Sequence, residues 1–133
     1  MILDTSVIVA LALGEPEYPA FLRAMDQASS RRLSAGSWIE LSAVAVRGKL
    51  VGIEWLDRAR EHYTIEIVPV SVEQAQIGHL AYRAFGIGSG SKAKLNFGDC
   101  FSYALSKATG EPLLFKGDDF THTDVLRAAY EPS

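Results

Sequence analysis

The sequence predicts an α/β fold with a mostly parallel sheet. Two observations indicate it: short apolar runs alternate with segments whose apolar residues recur every three or four positions, and no repeat or long linker interrupts the alternation. The 133 residues suit a single domain over residues 1–133, and 48% of them are hydrophobic, enough for a buried core. The longest apolar run, residues 7–13, is far shorter than the roughly 20 residues that span a bilayer, so we expect no membrane segment.

The first half of the chain predicts two strands, each followed by helical sequence. Its elements are a strand over residues 1–5, helices over 7–13 and 17–29, a strand over 32–35, and a helix with apolar positions from Ile39 to Leu50. Ser6 is a candidate N-cap for the first helix, and Gly14 ends that helix. Ser37 is the candidate N-cap of the last helix, and Glu40, three residues later, has the spacing of a capping box.

The second half of the chain continues the alternation around one flexible loop. Its elements are a helix over residues 54–63, a strand over 65–70, a helix over 72–85, a loop over 86–94, a helix over 97–108, a strand over 113–115 and a short helix over 120–129. The loop sequence, GIGSGSKAK, is rich in glycine and serine, which predicts flexibility. Arg83, Lys92 and Lys94 flank it, and they either contact phosphate groups or belong to an ordinary solvated loop.

Charge and cysteine content limit the class of protein. The formal net charge is −3, from 16 acidic and 13 basic residues. That balance argues against a protein that coats nucleic acid through bulk positive charge, although it leaves open an enzyme that acts on nucleic acid. Cys100 is the single cysteine, so no internal disulfide forms and we expect a reducing, cytoplasmic location. Asp4 interrupts the apolar N-terminus, which argues against a secretory signal.

Five acidic residues lie near the ends of predicted strands or the starts of predicted helices. Asp4 ends the first strand, Glu40 lies near the start of the helix after the second strand, and Asp118 and Asp119 follow the last strand. Asp99 lies in the first turn of a predicted helix. Because ligands bind at the carboxyl ends of strands in open parallel sheets, these side chains can converge at one edge.

The chemistry of such an acidic cluster is that of a metal site. Carboxylates brought together repel one another, and unless they are protonated they need a cation. Oxygen ligands suit Mg²⁺ or Mn²⁺ rather than zinc, and such ions activate water for phosphodiester cleavage. Each acid also has a structural alternative, because Asp4 and Glu40 suit helix caps, Asp99 suits a helix N-terminus, and Asp118 and Asp119 suit a turn. Residue types and spacing leave both alternatives open.

Three segments together resemble one protein family. They are MILDTS at residues 1–6, SWIELSAV at 37–44, and LNFGDCFSYALSKATGEPLLFKGDDF at 95–120, followed by THTD. These segments resemble the PIN-domain ribonucleases, specifically the VapC toxins of bacterial toxin–antitoxin pairs, over essentially the whole chain. The resemblance implies a three-layer α/β/α sandwich with a central sheet of four or five strands, dependence on Mg²⁺ or Mn²⁺, and RNA cleavage that inhibits translation or growth. It also implies a homodimer, a VapB-type antitoxin as partner, and a higher assembly on DNA through that antitoxin.

The resemblance assigns roles to the acids by position. Asp4, Glu40 and Asp99 match the first, second and third acids of the family, and Asp119 matches the constant acid of the fourth motif. Asp118 occupies a variable polar position beside it, and we expect both near the pocket. All five are therefore predicted to be catalytic, and Asp4 and Asp99 are predicted to bind the metal directly or through water.

Two other functions stay open beside this one. A different Mg²⁺-dependent phosphohydrolase is one, although a phosphatase of the haloacid-dehalogenase type would want an acid where Ser6 stands. A PIN-like interaction module without nuclease activity is the other, although such a module would lack some of the acids. Ser6 and Asn96 match further polar positions of the family and are expected to orient a ligand or a water.

Overall fold

The computed structural model describes residues 1–48 and 52–131, which form six helices and four strands. In chain order these elements are β1 (Ile2–Leu3), α1 (Thr5–Leu13), α2 (Tyr18–Gln27), β2 (Arg31–Ser34), α3 (Ala35–Val46), α4 (Ile53–His62), β3 (Ile65–Val68), α5 (Val72–Phe85), α6 (Asp99–Thr109) and β4 (Leu113–Leu114). Leu50, the last predicted apolar position of α3, lies outside the described residues. Within them, no helix is long and apolar enough to span a membrane.

The four strands form one parallel sheet in the order β3-β2-β1-β4. In the centre, Ile2 of β1 pairs with Arg32 of β2 on one side and with Leu113 of β4 on the other. These strands and the helices between them confirm the predicted α/β class. Because all four strands run in the same direction, their carboxyl ends lie at the same edge of the sheet, where the candidate site residues are expected.

Helices cover both faces of the sheet, which gives a three-layer α/β/α sandwich. Successive side chains of a strand point to opposite faces, and the two residues of β1 accordingly pack into different cores. Leu3 joins a core with Phe21 of α2 and Leu41 of α3, whereas Ile2 joins a core with Leu105 of α6. The central strand is therefore buried from both sides, as its apolar sequence predicts.

The first and third helices begin earlier than predicted. The N-cap of α1 is Asp4 rather than Ser6, because the Asp4 carboxylate accepts a hydrogen bond from the Ser6 N–H. The N-cap of α3 is Ser34 rather than Ser37, since the backbone passes directly from β2 into the helix and Ser34 accepts from the Gly36 N–H at 3.2 Å. The predicted capping box of Ser37 and Glu40 is therefore wrong, and it does not explain why Glu40 is there.

The predicted helix over residues 120–129 is also wrong. That segment makes turns and then runs beside β4, where Leu113 forms an isolated parallel bridge with Arg127. The Leu113 N–H donates to the Leu126 carbonyl at 2.8 Å, and the Ala128 N–H donates to the Leu113 carbonyl at 2.9 Å. Backbone groups that a helix would have satisfied internally are paired with the sheet instead.

Candidate active site

Asp4 lies at the carboxyl end of β1 and is almost fully buried, with 4% of its surface exposed. Both of its carboxylate oxygens accept hydrogen bonds. The Ser6 N–H donates to Oδ2 at 3.0 Å, and the Ser102 hydroxyl donates to Oδ1 at 2.6 Å. Asp4 therefore serves as the cap of α1, and at the same time its charge sits at the sheet edge where the other acids gather.

Asp99 begins α6 beside Asp4 and is 7% exposed. It forms a reciprocal pair of hydrogen bonds with Asn96: the Asn96 N–H donates to Asp99 Oδ2, and the Asp99 N–H donates to Asn96 Oδ1, both at 2.9 Å. This arrangement satisfies backbone donors at the start of the helix and fixes the direction of the carboxylate. Asn96 thus orients an acidic side chain, whereas the sequence predicts that it orients a ligand or a water.

Glu40 reaches the same place from α3, through close contact with Gly98. A Cβ atom placed on Gly98 would overlap Oε2 of Glu40 and lie 2.6 Å from its Cδ. The backbone of Gly98 is in the ordinary helical region, so glycine is needed here for its lack of a side chain and not for an unusual conformation. The glycine beside Asp99 is what lets the Glu40 carboxylate approach the start of α6.

The fourth acid comes from the loop after β4. Gly117 turns this loop with φ of +91°, a conformation that favours glycine. The Lys116 N–H donates to the Ser6 hydroxyl at 2.9 Å, which fastens the loop to the start of α1. Asp118 and Asp119 follow, both exposed, and of the two it is Asp119 whose charge helps to raise the pKa of Asp99, while the charge of Asp4 helps to raise the pKa of Asp119. The charge of Asp118 helps to raise the pKa of Asp119.

Burial and neighbouring charges raise the pKa values of three acids of the cluster, Asp99, Glu40 and Asp119. Burial raises the pKa of Asp99 to about 7, the charges of Asp4, Asp119 and Glu40 add to the shift, and the hydrogen bond from Asn96 opposes it. Burial also raises the pKa of Glu40, with help from Asp4, although the Thr5 hydroxyl favours the charged form. Burial, and then the neighbouring acids, raise the pKa of Asp119. No basic side chain of the described residues is among the causes of these three shifts, as expected of a cation site.

The side chains alone do not make a closed metal cage. Within residues 1–48 and 52–131, no three Asp, Glu, His or Cys side chains stand close enough together to hold a metal ion between them. The donors that converge are all carboxylate oxygens, which is the set that Mg²⁺ and Mn²⁺ prefer. Mg²⁺ is commonly held by one or two carboxylates with water and substrate oxygens completing its shell, so the residues present fit such an ion.

Comparison with known proteins identifies the family. A family model described as the PIN domain matches residues 1–126. The chain is a member of the PIN-domain family. Ribonuclease VapC42 of Mycobacterium tuberculosis is 46% identical over 129 residues, covering 96% of this chain and 98% of that protein. Ribonuclease VapC30 of the same species is 42% identical over 134 residues, covering 97% and 98%. This PIN domain therefore belongs with the VapC ribonucleases, as the sequence motifs predict.

Solved structures agree on the fold. VapC20 of Mycobacterium tuberculosis, described as a sarcin-ricin loop cleaving toxin, superposes with a TM-score of 0.69 at 16% identity, covering 94% of this chain and 95% of that chain. A toxin–antitoxin complex from Klebsiella pneumoniae gives a TM-score of 0.67 at 17% identity, covering 92% of each chain. FitAcB from Neisseria gonorrhoeae gives 0.66 at 19% identity, covering 96% of each. At these identities the likeness shows the PIN fold alone.

Three other polar residues near the acidic cluster are Lys116, Cys100 and Ser102. The Lys116 ammonium lies between Glu15 at 3.1 Å and Glu17 at 2.9 Å, which directs it to the segment after α1. Burial raises the pKa of the Cys100 thiol to about 11, so at neutral pH this thiol is protonated and is not a nucleophile. Ser102 is not evident as a site residue from the sequence, although it lies one helical turn after Asp99 and so shares its face of α6.

Proposed function

We propose that this PIN domain is a metal-dependent endoribonuclease that acts as the toxin of a toxin–antitoxin pair. The observation that carries the proposal is the convergence of Asp4, Glu40, Asp99 and Asp119 at the carboxyl edge of the sheet, where the charge of Asp4 helps to raise the pKa values of the other three acids. The names of the similar VapC ribonucleases support RNA as the substrate.

Asp4 and Asp99 are the residues that would hold a divalent cation, Mg²⁺ or Mn²⁺. They are the two most buried acids of the cluster, and their carboxylates are held in place by hydrogen bonds. When bound, such a cation lowers the pKa of a coordinated water and neutralises charge on a phosphate.

The remaining acids differ in what they can do. Glu40 is half-buried with a raised pKa, and this makes it a better base for accepting the proton of an attacking water. Asp119 lies at the more exposed side of the pocket, where it can share that role or help to bind a second ion when RNA is present. Asp118 adds negative charge at the rim through its effect on Asp119.

The test of this function is cleavage of a model RNA with Mg²⁺ or Mn²⁺, with and without EDTA. We expect EDTA to abolish cleavage, and Asp4→Asn and Asp99→Asn to lower kcat by at least about 100-fold, since each removes a ligand charge. Asp26→Asn is the matched control, because Asp26 is an exposed acid of α2 away from the cluster. Undiminished activity of the first two variants would exclude this assignment. Preference for p-nitrophenyl phosphate over RNA would indicate another phosphohydrolase.

The loop before Asp99 is proposed to contact the RNA backbone. Its ends are joined by two hydrogen bonds, from the Ile87 N–H to the Leu95 carbonyl at 2.9 Å and from the Leu95 N–H to the Phe85 carbonyl at 2.8 Å. Between these ends, Lys92 and Lys94 are exposed while the residues that follow each of them are buried. Both ammonium groups are thus presented to solvent within a few residues of the acidic cluster, where they can meet phosphate groups.

Partners of this PIN domain are proposed to be a VapB-type antitoxin and a second copy of the chain. An apolar groove of about 550 Å³ runs between α5 and α6, and it is lined by residues that include Ala75, Tyr82 and Phe97. Phe97 is 75% exposed and packs edge-on against Phe101, with ring centroids 5.1 Å apart. Exposed apolar grooves of this kind accept helices of partner proteins. Among the similar structures are toxin–antitoxin complexes, one of them bound to promoter DNA.

Co-expression with the protein encoded beside this one tests the antitoxin. We expect the two to elute together on size-exclusion chromatography and the complex to cleave model RNA more slowly, because a basic side chain of the antitoxin can pair with the carboxylates. For the isolated chain, light scattering is expected to give twice the monomer mass. Separate elution with undiminished cleavage would contradict the toxin assignment but not the nuclease assignment.

A further inference from the structure

Two buried serines connect the elements that hold the acids. Ser102 is fully buried on α6, and its hydroxyl lies 2.6 Å from Asp4 Oδ1. Ser37 is fully buried on α3, and its hydroxyl lies 3.4 Å from that of Ser102. Ser37 is one helical turn before Glu40, just as Ser102 is one turn after Asp99. The two hydroxyls therefore connect α3 and α6 to Asp4, at the carboxyl end of β1.

The direction of these hydrogen bonds follows from the donor count. An ionised carboxylate only accepts, so Ser102 donates its single hydroxyl proton to Asp4. Ser102 then has only acceptor capacity left, and the contact between the two serines requires Ser37 to be the donor. The order is therefore Ser37 to Ser102 to Asp4, with Oδ2 of Asp4 held separately by the Ser6 N–H.

We propose that Ser102, supported by Ser37, is a positioning residue that sets the orientation of the Asp4 carboxylate for binding a divalent cation. With donors on both oxygens, the carboxylate cannot rotate without breaking a hydrogen bond. Each oxygen still has a free lone pair that can face a cation. The inference rests on the proposed function, because it takes Asp4 to be a metal ligand, and groups that orient a ligand in this way commonly change metal affinity by about 10- to 100-fold.

Ser106 is the matched control for Ser102. It is also buried on α6, one turn further along, and its hydroxyl donates to the Glu111 carbonyl at 2.7 Å. Its hydrogen bond therefore holds the backbone before β4 and does not involve the acidic cluster. Ser102→Ala and Ser106→Ala remove the same atom from the same helix, so they separate an effect on the metal from an effect on stability.

The experiment is calorimetric titration of the whole protein with Mn²⁺ alone, followed by kcat and KM on a model RNA. We expect Ser102→Ala to weaken Mn²⁺ binding by about 10- to 100-fold and to lower kcat with little change in KM. Ser37→Ala should weaken Mn²⁺ binding less, and the double variant should be no worse than Ser102→Ala, since the two hydroxyls act in series. Ser106→Ala should lower the melting temperature and leave Mn²⁺ binding unchanged.

Two results would overturn the proposal. One is a folded Ser102→Ala protein that binds Mn²⁺ within twofold of wild type. The other, which applies if Ser102→Ala does not fold, is a folded Ser37→Ala protein with unchanged Mn²⁺ binding. Other results would contradict the proposed function itself. They are a wild-type protein that does not bind Mn²⁺, or an Asp4→Asn protein that binds Mn²⁺ and cleaves RNA as well as wild type does. The positioning role of Ser102 would then be excluded as well.

Discussion

Gly98→Ala is a substitution that should damage the active site without removing any of its acids. The new Cβ would overlap Oε2 of Glu40 and lie 2.6 Å from Cδ, whereas ordinary contact begins at 3.4 Å. The Glu40 carboxylate must therefore retreat by about 1 Å or more, and a misplacement of that size can lower a rate by about 100-fold, or about 2.7 kcal/mol.

The stability of the Gly98→Ala protein should change little. Gly98 has φ of −63° and ψ of −37°, which alanine adopts readily, and the displaced group is the end of a long side chain. The smaller entropy of the unfolded chain even favours alanine by about 0.4–1 kcal/mol. We therefore expect a nearly unchanged melting temperature together with a kcat on model RNA that falls by about 100-fold.

Two control variants test whether the effect comes from displacement of Glu40. In Gly78→Ala, a glycine of α5 gains a Cβ that meets its nearest neighbours at 3.7–3.8 Å, so kcat should not fall. In a Glu40→Ala background, Gly98→Ala should have no further effect on kcat, since no carboxylate is left to displace. The reasoning is refuted if Gly98→Ala cleaves RNA within threefold of wild type, or if it reduces activity as much in the Glu40→Ala background.

Three further outcomes are expected. First, the pKa of Asp99 is about 7 in the folded, metal-free protein and ordinarily 3.8, so the folded state binds more protons between these values. The contribution of Asp99 to the free energy of unfolding should then fall as pH rises from about 4 to 7, by no more than about 4 kcal/mol, and urea titrations should show a shallower slope in Asp99→Asn than in wild type. Second, Lys92→Ala with Lys94→Ala should weaken RNA binding at low salt and reduce the slope of log affinity against log salt by about 0.7 for each phosphate group that is no longer neutralised; an unchanged slope would place RNA elsewhere. Third, Lys116→Ala should leave kcat within about twofold of wild type and lower the melting temperature slightly, since this ammonium pairs with glutamates outside the pocket; a large drop in kcat would show that it reaches the phosphate.

The acidic edge could be predicted from the sequence because topology alone determines it. Asp4 and Asp119 follow β1 and β4, and strands of a parallel sheet end at the same edge whatever their exact lengths. Asp99 could be predicted because it lies in the first turn of the helix predicted over residues 97–108. The choice between Asp118 and Asp119 could not be predicted, since it depends on a turn at Gly117 whose direction is fixed by a distant serine hydroxyl.

The errors in helix boundaries have a similar cause. Ser34 and Ser37 are equally good caps in sequence, and Ser34 is selected because it is the last paired residue of β2, opposite Val68 of β3. Ser102 could not be predicted for the same reason, because the role of its buried hydroxyl depends on contact with a carboxylate 98 positions away. Local patterns identify elements and their acids, whereas long-range contacts decide which polar group finds which partner.

The segment that runs beside β4 also bears on how the protein behaves in solution. An edge strand as apolar as Leu113–Leu114 offers unpaired N–H and C=O groups to any other strand, which is a common route to aggregation. The backbone of residues 126–128 pairs with Leu113 of this edge strand, so fewer of the strand's N–H and C=O groups are open to another chain. Shortened variants that end before Leu126 are therefore expected to precipitate, and reduced toxicity in them would report solubility and not catalysis.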